Sequence, residues 1–330
     1  IGWAWMIFQD KINYLYIAFG LLLLTLAVSA AIRDSRLGFY LTAVREREDA
    51  AQAAGVSTTR AKLAAAAISA ALTSLIGSFH AMYLTFLEPA TMFSLATSIE
   101  IAMFALIGGL GTVAGPLLGT LLVVPLAEAA RGWLGASANG LHGLVYGVVL
   151  VLITLTLPGG IVSAVGPRLS ALLDRLLGAR KLAAAPTPAP RRVEGRADET
   201  VLETRDLRKT FGGLVATDDV TMSLKRGEIL GVIGPNGAGK TTLFNQMSGF
   251  LEPTSGHVAM RAPSGEMTRP SSADGFARLG MGRTFQIVQP FGKLSVIENI
   301  MIGAYLRHPG VAQARAVAHR VARLVGLDHL

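Results

Sequence analysis

Residues 228–247 decide the reading of this chain. They run Glu228-Ile229-Leu230-Gly231-Val232-Ile233, then Gly234-Pro235-Asn236-Gly237-Ala238-Gly239-Lys240-Thr241, then Thr242-Leu243-Phe244-Asn245-Gln246-Met247. The middle octet has the spacing G-x-x-x-x-G-K-T, and each fixed position has a physical reason. Glycines let the backbone wrap closely, so that successive N–H groups converge on one anion. Lys240 adds a mobile positive charge, and the Thr241 hydroxyl can ligate a divalent cation. A helix starting at this point adds its positive dipole end. The apolar run at 228–233 predicts a buried strand leading in, and Lys240–Met247 predicts a helix leading out. Strand, glycine loop and helix together specify a phosphate-binding loop rather than a bare Gly-rich turn.

Outward from this loop, the composition divides the chain. Of 330 residues, 51% are hydrophobic and only 16% charged, where a soluble domain carries about 25% charged residues. The chain is too apolar to be disordered. It has no cysteine, which excludes disulfides, thiolate metal sites and a cysteine nucleophile. Runs without Asp, Glu, Lys or Arg cover Tyr14–Ile32, Leu63–Leu87, Ile101–Ala127 and Leu141–Val165. A bilayer-crossing helix needs about 20 mostly apolar residues, so the first part reads as a transmembrane region, residues 1–177. Residues 178–200 hold an Ala/Pro-rich linker that includes Ala183–Pro190. Residues 201–330 alternate short apolar runs with polar helices, as a soluble α/β domain does.

Basic residues orient the membrane region. Arg33, Arg36, Arg45, Arg47, Arg60 and Lys62 lie between the first two apolar runs, which places the loop 33–62 in the cytoplasm. Glu88–Ser98 has no Lys or Arg and reads as external. Arg168, Arg175, Arg180 and Lys181 follow the last run and read as cytoplasmic again. The third run must then enter and return. Its 27 residues make roughly 40 Å of helix, where two crossings need about 60 Å. Gly108-Gly109-Leu110-Gly111 and Gly115-Pro116 interrupt it. A re-entrant or broken helical hairpin is expected, with one long tilted helix as the alternative.

The second part resembles the ATPase of ABC transporters. The residues that carry the resemblance are Phe211-Gly212-Gly213-Leu214-Val215-Ala216, Gly227-Glu228-Ile229, the loop Gly234–Thr242, Gly282-Arg283-Thr284-Phe285-Gln286 and Leu294–Asn299. It is most similar to the ATPase of branched-chain amino acid importers, almost continuously from Val201 to Leu330. The resemblance implies that Phe211 stacks on adenine. It implies that Gly234, Asn236, Gly237, Gly239, Lys240, Thr241 and Thr242 hold the phosphates of ATP. It also implies that Thr241 and Gln286 approach Mg²⁺, with Lys240 and Gln286 acting on the γ-phosphate. The first part resembles the matching permease. Asp49-Ala50-Ala51-Gln52-Ala53-Ala54-Gly55 is similar to the importer coupling helix, with Asp49 where the family usually has Glu; Asp49, Ala50, Ala51 and Gly55 carry that match. Ile107–Pro116 and Leu157–Ile161 are similar to the permease's second half.

The expected fold is therefore an α-helical transmembrane bundle joined by a linker to an incomplete α/β P-loop (ABC-type) nucleotide-binding domain. The resemblance implies ATP-driven import of branched-chain amino acids at the bacterial cytoplasmic membrane, with the ATP-binding domain in the cytoplasm. It implies a second permease subunit, a second ATP-binding subunit, an external solute-binding protein and membrane lipid as partners, and no nucleic acid. Urea or short amides are an alternative cargo. A membrane-anchored nucleotide-binding module and an inactive gene fragment are alternatives of another class. The sequence departs from the family pattern in having no Walker B strand ending in Asp-Glu, no signature motif and no switch histidine; its Asp198-Glu199 pair lies in the linker. Without that carboxylate the chain is expected to bind ATP but not to turn it over alone. The chain starts at Ile1 and stops at Leu330, and reads as an internal piece of a longer protein. Three smaller expectations complete the reading. His80 packs neutral between helices, Glu100 caps a helix start after Ser98, and Arg191, Arg192 and Arg196 meet anionic lipid.

Overall fold

Residues 10–84, 94–134, 147–148, 151, 155–156, 160–162 and 198–327 are described by a computed structural model of the chain. Most of the fourth apolar run, most of the linker and Arg191, Arg192 and Arg196 lie outside these residues. The described residues divide into two bodies, one drawn from 1–31 and 69–182, the other from 32–68 and 183–330.

In the first body the apolar runs become helices. α1 spans Lys11–Arg33 and α4 spans Thr58–Leu84, roughly 34 and 40 Å of helix at 1.5 Å per residue. Both are long and apolar enough to cross a membrane. Leu15, Tyr16, Phe19 and Leu23 on α1 are exposed, an arrangement that water disfavours and hydrocarbon does not. Tyr14 is buried and meets Phe79 and Tyr83 of α4, with ring centroids 6.3 and 5.6 Å apart. His80 of α4 is exposed and does not pack between helices among the described residues: the α4 face turned to Tyr14 is the one carrying Phe79 and Tyr83.

The third apolar run is broken, as the glycines predict. α5 covers Leu95–Gly108 and α6 covers Gly115–Leu134. With 14 residues α5 is about 21 Å long, short of the roughly 30 Å hydrocarbon layer. The two helices pack together with Ile107 and Val123 fully buried. Between them Thr112 Oγ1 donates to the Gly109 carbonyl at 2.8 Å. α5 starts earlier than expected. Ser94 is its N-cap, with Oγ accepting from Thr97 N at 3.1 Å. Glu100 therefore sits beyond the first turn, where the dipole end has faded, and caps nothing.

In the second body, α2 (Arg36–Glu46) and α3 (Glu48–Ala53) form the loop between the long helices. The C-terminal part contributes a sheet of order β2-β1-β3-β4, antiparallel throughout. Its strands are β1 (Thr200–Phe211), β2 (Leu214–Lys225), β3 (Ser255–Arg261) and β4 (Met267–Thr268). Helices α7 (Lys240–Met247), α8 (Ala273–Leu279), α9 (Val296–Ala304) and α10 (Val311–Leu324) complete it. Leu207 of β1, Leu243 and Met247 of α7, Val258 of β3 and Phe276 of α8 form one core between sheet and helices.

Residues 228–233 do not form the predicted strand. Ile229 and Ile233 are 98% and 96% exposed. A strand persists only where neighbours take its N–H and C=O groups, and no described strand lies alongside this one.

Candidate functional site

The glycine loop is built against the hairpin β1–β2. Gly239 has φ +81° and is the N-cap of α7. A Cβ there would collide with the carbonyl oxygen of Ala216 on β2. Only glycine combines this left-handed backbone with so close an approach. The same hairpin ends at Phe211, which pairs with Leu214 across the Gly212-Gly213 turn. The Phe211 ring is 49% exposed, with the Lys209 ammonium 5.4 Å from its centroid. An exposed aromatic beside a cation can stack on a flat, electron-rich ring.

Lys240 Nζ donates to the carbonyls of Gly234 and Pro235 at 2.7 and 2.6 Å. The ammonium therefore sits inside the turn of its own loop, at the positive end of α7. Gly234, Asn236, Gly237 and Thr241 are exposed and Thr242 is half-buried at the first turn of α7. Backbone donors, one ammonium and one hydroxyl at a helix start can receive an anion, and the Thr241 hydroxyl could offer a divalent cation one ligand. No cluster of three or more His, Cys, Asp or Glu that could hold a metal occurs among the described residues, so such a cation would need phosphate oxygens as further ligands. Gln286 is exposed in the segment after α8, and the middle of that segment, Ile287 and Val288, is 78% and 80% exposed.

The second part of the site is the seat of α3. Ala43, Val44, Ala51 and Val56 share one buried cluster with Phe291 and Ile302, and Ala50 packs against it. α3 also packs on α8. Phe39 and Tyr40 of α2 lie 5.9 and 5.8 Å from the ring of Tyr305. Burial raises the Tyr305 phenol to a pKa of about 12. Gly55 follows α3 at φ +86°, and a Cβ there would collide with Leu306 Cδ1. Asp49 is exposed at the start of α3. Glu46 lies 3.7 Å from Lys293.

Sequence reasoning missed Phe291 and gave Asn299 no role of its own. Asn299 accepts from Phe291 N at 2.9 Å and donates from Nδ2 to the carbonyls of Phe291, Leu294 and Ser295 at 3.0–3.1 Å. This locks the end of the Gln286 segment to α9, which starts with a capping box between Ser295 and Glu298. The capping box is legible as Ser-x-x-Glu. The burial of Phe291 is not, because its partners lie 240 residues away in sequence, at Ala51.

Comparisons with known proteins match the two parts of the chain to two families. Residues 3–154 match a family model described as the permease component of the branched-chain amino acid transport system, and residues 217–330 match one described as ABC transporter. The ATP-binding protein LivG for high-affinity branched-chain amino acid transport from Salmonella typhimurium is 40% identical over 107 residues, 32% of this chain and 41% of that protein. The nucleoside import ATP-binding protein NupA of Lactococcus lactis is 43% identical over 107 residues, 32% of this chain and 21% of that protein. The probable multidrug ABC transporter ATP-binding protein YbhF of Escherichia coli is 45% identical over 108 residues, 33% of this chain and 18% of that protein. The chain thus spans less than half the length of these curated relatives. Among solved structures, a nucleotide-free ATP-binding cassette from an ABC transporter is 28% identical with a TM-score of 0.33, covering 40% of this chain and 56% of that one.

Proposed function

We propose that this chain, which joins a permease segment of the branched-chain amino acid transport type to an ABC-transporter ATP-binding segment, couples MgATP binding to solute import across the bacterial cytoplasmic membrane. The observation that carries the reading is the shared core of Ala51 and Val56 with Phe291 and Ile302. It joins a helix of the permease-matching segment to residues just beyond Gln286 in the ATP-binding one.

Lys240 and Thr241 hold the phosphates and Mg²⁺, Gly234, Asn236, Gly237, Gly239 and Thr242 complete the cradle, and Phe211 stacks on adenine. Gln286 reports the γ-phosphate to Asp49–Gly55. The solute is a branched-chain amino acid. A second permease subunit, a second ATP-binding subunit and an external solute-binding protein complete the assembly in the lipid bilayer, with several passes contributed by this chain.

The test has two arms. Titration of the chain in detergent with a fluorescent ATP analogue and Mg²⁺ should give saturable binding. Lys240→Ala removes charge-assisted bonds and should weaken it by about 10–150-fold, the equivalent of about 1.5–3 kcal/mol. Unchanged affinity in that variant would remove the phosphate-loop assignment. Uptake of labelled leucine by cells expressing the whole assembly should be competed by isoleucine and valine. Competition by urea, short amides or nucleosides instead would move the cargo to that class.

A further inference from the structure

Arg283 stands three residues before Gln286 and has a guanidinium held on two sides. Nη1 donates to Ser248 Oγ at 2.5 Å and Nη2 to Asn245 Oδ1 at 2.6 Å. Both acceptors lie at the C-terminal end of α7, the helix whose first residue is Lys240. The guanidinium also lies over the rings of Phe250 and Phe285, 4.6 and 5.3 Å from their centroids. Those rings meet edge to face at 5.9 Å and 85°. A planar fork that makes two directed bonds while stacked on aromatic faces is a role lysine does not fill. A cation at a helix C-terminus also complements the dipole. Burial pulls the Arg283 pKa down, and the Asp49 carboxylate of α3 opposes that shift.

The segment that begins at Arg283 is pinned again at Phe291, by the Asn299 bonds and by the core shared with Ala51 and Val56. Between the two pins Gln286, Ile287 and Val288 are exposed. The eight residues of α7 make a rigid rod of about 12 Å. A displacement of its Lys240 end therefore moves Asn245 and Ser248 at the other.

We propose that Arg283 is a positioning residue that fastens the Gln286 segment to the far end of the phosphate-loop helix, so that nucleotide binding at Lys240 shifts Phe291 and with it α3. This inference rests on the MgATP reading above and adds the mechanical link that reading lacks. The strap has two anchors of different chemistry. Arg283 holds by directed hydrogen bonds and stacking, Phe291 by apolar packing. Weakening the first leaves the second, and the seat of α3, in place.

The experiment is hydrogen–deuterium exchange of the full chain in nanodiscs, reading residues 48–56 with and without MgATP, beside MgATP affinity on the same samples. In the wild type, MgATP should change exchange across 48–56. In Arg283→Gln, affinity should stay within about 2-fold while the nucleotide-dependent change at 48–56 falls by about 5-fold or more, the usual lower size of an allosteric coupling. Arg283→Lys should not restore it. Ser248→Ala, which deletes one bond and keeps the charge, should give a partial loss and serves if Arg283→Gln does not fold. A full nucleotide response in Arg283→Gln or Ser248→Ala would overturn the strap and leave the nucleotide site standing. So would a wild type that binds MgATP without any change at 48–56. Loss of affinity together with the response would make Arg283 part of the binding site and overturn its positioning role. A wild type that does not bind MgATP would overturn the nucleotide reading itself, and the strap with it.

Discussion

Replacing Gly55 by alanine tests the seat of α3 at one atom. Gly55 holds φ +86° one residue past Ala54, the C-cap of the helix Glu48–Ala53. A non-glycine residue in the left-handed region costs about 1–2 kcal/mol. The new methyl would also strike Leu306 Cδ1, the tip of a flexible side chain, which can turn aside at about 0.5–1.5 kcal/mol. Stiffening of the unfolded chain returns about 0.4–1 kcal/mol. The net expectation is a local destabilisation of about 0.5–3 kcal/mol, or roughly 2–150-fold faster exchange by opening. Hydrogen exchange across 48–56 and 300–306 in the full chain reads this directly. Repeating the substitution in a Leu306→Ala background separates the two contributions. The clash part should vanish and the backbone part remain, leaving a coupling of about 0.5–1.5 kcal/mol between the positions. Gly55→Val should be worse, since a β-branched side chain tolerates this backbone least. A neutral or stabilising Gly55→Ala would refute both the left-handed turn and the contact with Leu306.

Other expectations follow from the same geometry. Gly239→Ala adds the left-handed strain to a collision with backbone at Ala216, which cannot swing away; it should abolish MgATP binding and destabilise the β1–β2 hairpin end by about 2 kcal/mol or more, seen as a lower melting midpoint. Phe291→Ala opens a cavity in a core where Ala51, Val56 and Ile302 are fully buried; a loss of about 3–5 kcal/mol in local stability should appear as deprotection of 48–56 without loss of MgATP affinity. The Tyr305 phenol, raised to about 12 mainly by burial, favours the fold fully below its ordinary value near 10 and loses that contribution as pH climbs from about 10 to about 12. Ultraviolet titration of phenolate formation should contain a late-ionising component that disappears in Tyr305→Phe; no difference between the two titrations would deny the burial.

What sequence could and could not supply follows from the range of each interaction. The glycine loop, the break at Gly109–Ala114 and the capping box at Ser295 are written in contiguous residues, because their physics acts within one turn of chain. Glu100 misled because the helix start is fixed by which hydroxyl reaches a free N–H, and Ser94 rather than Ser98 does so. His80 misled because hydropathy says which helices are apolar but not which face of each meets a neighbour. The run 228–233 misled in a different way: its apolar pattern is real, but a strand exists only through partners. Phe291, Asn245, Ser248 and Arg283 were invisible as a site because the contacts joining them to each other or to α3 span tens to hundreds of residues. In its own stretch of sequence each reads as ordinary.

The hairpin of α5 and α6 makes a further statement about mutational tolerance. A Cβ on Gly108 would meet the backbone of Gly115, one on Gly119 the carbonyl of Phe104, and one on Gly160 the backbone of Gly109. Main chain touches main chain at all three places, with no side chain between to compress or rotate. By contrast, Gly20, Gly77 and Gly147 have nothing within 4 Å of an added Cβ. A single-residue library across the membrane segments should therefore sort chemically identical glycines into two populations. Those at 108, 119 and 160 should reject even alanine, while those at 20, 77 and 147 should accept most apolar residues. The hairpin is a piece whose spacing evolution can keep or lose, but not gradually adjust.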